Sequence, residues 1–357
     1  MDTQTKLSIE HILTKTAEKR SADLHLSVGT PPALRVHDQL VPMPDEPVVT
    51  KDFMETFVEM ILDNEQERVL QEQREIVIAY QLNRQTRYRI NIFYQRGVLG
   101  AYLRLIGNDI IVLDKLGLPP SIEQFTAATR GLILVSGAFG SGKTTTSASL
   151  IDFYNKNRSA YILTIERPIE YLFTSQRSIV EQREVGRDAL SFDHALRTIT
   201  QEDVDILFIS DLSAPEVIAS AISIAASGRL VIGNVEADTT VKTIEHLTNA
   251  FPGNEQQRIR EQLASNLTGI ICQRLVPRVG GGTVPVAEIT FGTPAIQAHI
   301  KDGSLYQIPT VIQTSRAEGM VSLDWSLAEL VKTNEVTIET ALEQASDEQQ
   351  LRYMLNA

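Results

Sequence analysis

Residues 132–157 read LILVSGAFGSGKTTTSASLIDFYNKN. An apolar run, Leu132 to Ser136, meets a glycine-rich turn and then a stretch with the composition of a helix. The turn, GAFGSGKT at 137–144, satisfies G-x-x-x-x-G-K-S/T at Gly137, Gly142, Lys143 and Thr144. Glycines let backbone N–H groups turn inward around phosphate oxygens. The helix behind them points its positive N-terminus at the same anion. The expected phosphate cradle is Gly137, Ala138, Phe139, Gly140, Ser141, Gly142, Lys143, Thr144 and Thr145. Lys143 is expected to reach the β- and γ-phosphates and the Thr144 hydroxyl to ligate Mg²⁺. A buried strand before the loop and a helix after it separate this match from a chance one, so nucleotide binding is the strongest inference in the chain.

Working outward, further buried-type strands are expected at AYILTI (160–165), DILFIS (205–210) and RLVIGNV (229–235). Alternation with helices indicates a mainly parallel sheet covered on both faces. From about 287 the chain reads as largely helical. A phosphate-loop enzyme also needs an acid at the end of a neighbouring strand. Glu166, with Glu170 behind it, and Asp211 stand in such places; for any one carboxylate there, a solvated loop residue or a helix cap is the alternative.

Towards the N-terminus the pattern differs. Ile9, Ile12, Leu13 and Ala17 keep helical spacing. SADLHLS (21–27) alternates like a strand, ALRVHDQLVPM (33–43) reads as a hairpin, and Asp52 is placed to cap one long helix carrying Phe53, Phe57, Ile61 and Leu62. Strands follow at 75–82, 86–96 and 100–106. These make a small α+β domain. The expected boundaries are 1–107 for that domain, 108–120 for a linker with its own apolar anchors, and 121–357 for an α/β domain.

The 357 residues suit about two domains. With 33 Lys+Arg against 45 Asp+Glu the net charge is −12, which argues against nucleic acid as the main partner and leaves room for a local basic patch. The single cysteine, Cys272, excludes an intramolecular disulfide and a four-cysteine zinc site. It reads as a buried inert thiol, Trp325 as core, and GGG (280–282) as a hairpin turn. His11, His25, His37, His194, His246 and His299 are scattered without metal-ligand spacing. No stretch is long and apolar enough for a membrane helix, and MDTQTKLSIEH does not read as a signal peptide; a cytoplasmic location is the expectation.

SADLHLSVGTPPALRV, RYRINIFYQR, the phosphate loop, ILTIERPIEY, EQREVGRDALSFDHALR, ITFGTPA and EGMVSLDWSL together resemble the PilT/PilU family of type IV pilus retraction ATPases, within the secretion-ATPase superfamily. FYQRGVLGAYLRLI and the tail EVTIETALEQASDEQQLRYML resemble the PilU side more closely. The resemblance implies an α+β N-terminal PAS-like domain followed by an α/β RecA-like P-loop ATPase domain. It also implies ATP and Mg²⁺ as cofactors, catalytic carboxylates at Glu166 and Asp211, and a homo-oligomer, a hexamer, with nucleotide sites between subunits. Arg87, Arg89 and Arg104 match N-terminal-domain arginines that reach a neighbour's nucleotide in this family; solvated strand arginines are the alternative. A PilT-like paralogue, an inner-membrane pilus platform protein and a place on the cytoplasmic side of the pilus base follow from the same resemblance.

The chain departs from the family pattern at several points. Arg167 replaces the aspartate of the I-E-D-P-I-E box. Ser210-Asp211 stands for the G-E that ends the Walker B strand, with Ser213-Ala214 where R-D is usual. Arg229 and Glu236 occupy the two histidine positions of the His box, and Arg197 is followed by Gln201. A misplaced general base typically forfeits about 10²–10⁴-fold in rate, and a lost charge-neutralising arginine about 10³–10⁵-fold. Binding with weakened hydrolysis, in support of a competent PilT-like motor, is therefore one expectation. A fully active retraction motor and a non-hydrolysing structural or regulatory nucleotide-binding protein are the others; a generic P-loop kinase or transporter ATPase ranks below them.

Overall fold

The computed structural model describes residues 3–18, 23–36, 39–83, 86–106 and 109–356. The first two residues of SADLHLS, His37 in the expected hairpin, and residues 107–108 at the start of the expected linker lie outside the described residues. The chain forms two units: Met1–Asp109 with Arg167–Leu172, and Ile110–Glu166 with Phe173–Ala357.

Period-two alternation builds the first unit. Strands β1 (Asp23–Ser27), β2 (Ala33–Val36), β3 (Gln39–Pro42), β4 (Glu75–Asn83), β5 (Thr86–Gln95) and β6 (Val98–Ile106) form an antiparallel sheet ordered β3-β2-β1-β6-β5-β4. On β5, Tyr88, Ile90 and Ile92 are fully buried while Arg87, Arg89 and Asn91 take the other face. Helix α1 (Thr3–Glu18) contributes Ile9, Ile12 and Leu13 to the same core, and the Tyr88 hydroxyl donates to the Leu13 carbonyl at 2.6 Å. Each such fully buried side chain is worth about 1.5–3 kcal/mol.

The long helix expected after Asp52 is two helices, α2 (Lys51–Ile61) and α3 (Asn64–Gln73). Thr50, not Asp52, is the cap: its hydroxyl accepts from Phe53 N–H at 3.1 Å. Asp63 ends the run because its carboxylate takes the N–H groups of Glu65 and Gln66, while the Gln66 side chain accepts from Asp63 N–H. This reciprocal capping starts a new helix in preference to continuing the old one.

The second unit holds the seven-stranded sheet β13-β12-β7-β11-β10-β8-β9. Its strands are β7 (Gly131–Ser136), β8 (Tyr161–Glu166), β9 (Ile179–Glu184), β10 (Ile206–Ile209), β11 (Leu230–Val235), β12 (Leu267–Pro277) and β13 (Thr283–Phe291). All pairings are parallel except β12 with β13. The helices are α4 (Lys143–Asn157), α5 (Phe192–Leu196), α6 (Pro215–Ala226), α7 (Thr240–Asn249), α8 (Gly253–Asn266), α9 (Pro294–Asp302), α10 (Ile308–Thr314), α11 (Leu323–Lys332), α12 (Ile338–Gln344) and α13 (Glu348–Asn356).

Alternation along β7 divides the core of this unit. Leu132 and Leu134 join Ile218, Ile222 and Leu263 of α6 and α8, whereas Ile133 and Val135 join Leu150, Ile151 and Tyr154 of α4. Leu113, Ile122 and Phe125, after the first unit, anchor in the α4-side cluster. Gly280–Gly282 turn β12 into β13 with φ of +89°, +103° and +77°, values only glycine adopts without strain. Trp325 is half-buried with the Arg316 guanidinium 4.4 Å above its ring, a less enclosed place than a core position. Among the described residues no helix is long and apolar enough to cross a membrane.

Candidate nucleotide site

Parallel pairing sets the site. Ser136 of β7 lies opposite Val235 of β11, Gly233 opposite Ile209 of β10, and Ile209 opposite Ile165 of β8. The carboxyl ends of four strands therefore share one sheet edge. They deliver the 137–144 turn, Glu166, Asp211 and Glu236 to it, where ligands bind in open α/β sheets.

The turn has the geometry of a phosphate cradle. Gly137, Gly140 and Gly142 have φ of +156°, +79° and +90°, and Gly142 caps α4. A Cβ on Gly137 would stand 2.3 Å from both the Gln273 carbonyl oxygen and Ser141 Oγ, so no side chain fits there. Lys143 Nζ donates to the carbonyls of Gly137 at 2.6 Å and Ala138 at 2.9 Å, curling across the loop. Ser141 Oγ is buried without a hydrogen-bond partner. Thr144 and Thr145 open α4, and the half-buried Thr144 hydroxyl has no partner among the described residues. Thr144 would be the residue to hold a Mg²⁺, which would supply charge neutralisation to bound phosphate. Phe139 stands at the apex, 62 % exposed.

The two acids differ. Glu166 is 2 % exposed and accepts from Thr164 Oγ1 at 2.6 Å and from Gln182 Nε2 at 3.1 Å. Asp211 is exposed and accepts from Ser213 Oγ at 3.0 Å. Ser213, at the usual R-D position, thus supports the acid locally. Asn234, one turn of the strand before Glu236, accepts from Ser147 Oγ of α4 at 2.7 Å.

The departures acquire partners. Arg229 Nε donates to the Val204 carbonyl at 3.0 Å, its Nη2 to the Glu202 and Thr200 carbonyls at 3.1 and 3.3 Å, and its Nη1 to Ser227 Oγ at 2.8 Å. Its guanidinium pins the loop before β10 to the start of β11. Glu236 lines a cleft of about 620 Å³ beside the loop, with Ala138, Phe139, Asp238, Lys242 and His246. Lys242 is paired with Asp238 at 2.9 Å. Arg197 pairs with Asp193 at 2.5 Å on its own short helix.

Arg167 does not follow Glu166 into the second unit; Arg167–Leu172 belongs to the first. There Arg87 donates to the Ile169 carbonyl and Arg89 to the Glu170 carboxylate, both at 2.8 Å. Glu170, one of the candidate carboxylates, is therefore ion-paired within that unit. Arg104 forks onto Asp23, Nε–Oδ1 2.9 Å, and donates to the Tyr102 hydroxyl at 2.7 Å, and the Asp23 bond holds its pKa above the usual guanidinium value.

The family described as "Type II/IV secretion system protein" matches residues 5–350. This chain belongs to that family. Within it the chain stands among the PilT/PilU-like pilus retraction ATPases. It is 34% identical over 339 residues to the type IV pilus retraction ATPase PilT of Pseudomonas aeruginosa, covering 95% of this chain and 98% of PilT. It is 31% identical over 350 residues to the type IV pilus ATPase PilU of the same organism, covering 98% and 91%. A crystal structure of the pilus retraction motor PilT with bound ADP superposes with a TM-score of 0.85 at 36% identity, covering 97% of this chain and 99% of that one.

Two further residues of this secretion-family site escape a motif search. Gln273 of β12 is 3 % exposed and bonds both to the loop and to α4. Gln182 of β9 helps orient Glu166. The signal for Gln273 was a polar side chain inside the apolar run GIICQRLVP. For Gln182 the sequence held no signal, because nothing local ties β9 to β8.

Proposed function

We propose that this chain is an ATP-binding, PilT/PilU-like subunit of a type IV pilus retraction machinery, with hydrolysis weaker than that of a competent motor. ATP with Mg²⁺ occupies the 137–145 loop, Lys143 engages the β- and γ-phosphates, and Thr144 ligates the metal. Glu166 and Asp211 orient water and metal, and Arg87, Arg89 and Arg104 act from a neighbouring subunit. The N-terminal unit is PAS-like and the second RecA-like. The assembly is a homo-oligomer of hexameric form that works with a PilT-like paralogue and a membrane-embedded pilus platform protein at the cytoplasmic base of the pilus. The ADP bound to the PilT relative supports the nucleotide assignment.

The observation that carries the weakened-hydrolysis reading is Arg229. The phosphate loop is intact, yet at this His-box position the guanidinium is committed to backbone carbonyls. A second reading, a fully active motor, is favoured by one feature: Glu166 keeps a buried carboxylate oriented by two donors at the strand end.

Titration with a fluorescent ADP analogue, paired with steady-state phosphate release, separates the readings. Tight binding lost in Lys143→Ala, with slow release that rises in Asp211→Glu, is the expected result. Rapid release by the wild type makes it a motor. No binding at all removes the nucleotide assignment.

A further inference from the structure

We propose that Gln273 is the positioning residue of the phosphate loop, a clamp that holds the loop in its anion-ready conformation before any nucleotide arrives. The proposal rests on the nucleotide-binding reading above for its consequence, though not for its geometry.

Gln273 lies on β12, hydrogen-bonded in parallel to β7, the strand that feeds the loop. Its two amide ends go to two different elements. Nε2 donates to the Ser141 carbonyl at 2.8 Å, and Oε1 accepts from Thr146 Oγ1 of α4 at 2.7 Å. Its backbone carbonyl is the atom that a Cβ on Gly137 would strike, and its Nε2 would stand 3.0 Å from a Cβ on Gly142. Glycine at 137 is therefore required by the approach of β12 as well as by phosphate, and Gly142 packs closely under the Gln273 amide.

Burial makes the clamp hard to replace. Gln273, Ser141 and Thr146 are 3 %, 4 % and 1 % exposed, so water does not reach the groups that Gln273 satisfies. The Ser141 hydroxyl finds no partner, so this residue is tied by its backbone alone: its N–H donates to the Ala138 carbonyl at 3.2 Å, and its carbonyl accepts from Gln273. The plain alternative is a buried glutamine that merely satisfies itself in a core. It does not explain why both bonds leave the strand and meet on either side of Gly142 and Lys143.

A loop held this way binds anion without reordering. Without the clamp the competent conformation becomes a fraction of the ensemble, and apparent affinity falls by that fraction. Gln273→Met keeps length and volume and removes both hydrogen bonds, so it separates clamping from packing. In full-length, nucleotide-free protein, hydrogen exchange of amides 138–142 is expected to speed up about tenfold or more, with β7 and the body of α4 unchanged. Affinity for a fluorescent ADP analogue is expected to weaken by about tenfold. Thr146→Val, which removes only the helix-side bond, is expected to give a smaller change in the same direction. It carries the test if Gln273→Met does not fold. Wild-type loop exchange in a folded Gln273→Met, or in Thr146→Val if that variant stands alone, overturns the proposal. If the wild type binds no nucleotide, the function assigned above fails, and the exchange measurement still decides whether Gln273 orders the loop.

Discussion

The Thr164 hydroxyl donates to the Glu166 carboxylate at 2.6 Å from two residues upstream on the same buried strand. Alternate residues of a strand share a face, so Thr164 and Glu166 meet without help from any loop. Gln182 on β9 completes the orientation. A carboxylate fixed by two donors at the sheet edge suits the ordering of a water or metal shell. Glu166→Gln is expected to lower phosphate release by about 10²-fold or more, with nucleotide affinity within about twofold of wild type. Parallel measurement of release and binding checks this; equal loss of both would make Glu166 a folding residue.

Arg104 and Asp23 form an ion pair across the first unit's sheet, between β6 and β1. The Asp23 side chain is 6 % exposed, and Arg104 meets it with Nε and a terminal nitrogen. Arg104→Ala is expected to lower stability by about 1–3 kcal/mol, as for a buried charged acceptor that loses one of its donors. Chemical denaturation of the full chain measures it. A variant with unchanged stability and reduced turnover would assign Arg104 to a neighbour's nucleotide alone.

Arg229 ties the backbone ahead of β10 to the start of β11. Arg229→His removes the bonds to the Val204 and Glu202 carbonyls. The expected result is a loss of about 1–2 kcal/mol and no gain in turnover, read from urea unfolding and phosphate release. A large gain in turnover would show that Arg229 is what restrains hydrolysis.

Cys272 sets a pH dependence. Burial first, and the nearby Glu288 second, push its thiol up from 9.0 to about 12. The folded thiol stays protonated where the unfolded one ionises. This contribution to stability is therefore complete below about pH 9 and is lost as pH rises from 9 towards 12. Stability is expected to fall more steeply between pH 8.5 and about 10.5 in the wild type than in Cys272→Ala. Iodoacetamide at pH 8 is expected to label Cys272 only after unfolding, which mass spectrometry reads directly.

Much of the candidate site's geometry was legible because its cause is local. Gly137, Gly142, Lys143 and Thr144 form a loop-to-helix turn set by backbone conformation and spacing, all carried by eight consecutive residues. The β–α alternation that places them was legible for the same reason. The break at Asp63 was missed although its cause is also local, since an apolar period that continued through Leu62 outweighed a capping signal of only a few residues.

The phosphate loop, the parallel frame and the family follow from stretches of sequence, because glycine conformation, strand alternation and motif spacing are properties of neighbouring residues. Tertiary structure alone decided what the altered positions do. Arg229 finds the Val204 carbonyl 25 residues away, Arg87 the Ile169 carbonyl 82 residues away, and Gln273 the Ser141 carbonyl 132 residues away. A side-chain hydrogen bond depends on where the partner's backbone is brought in space, and that placement belongs to the packed sheets and not to any stretch of chain.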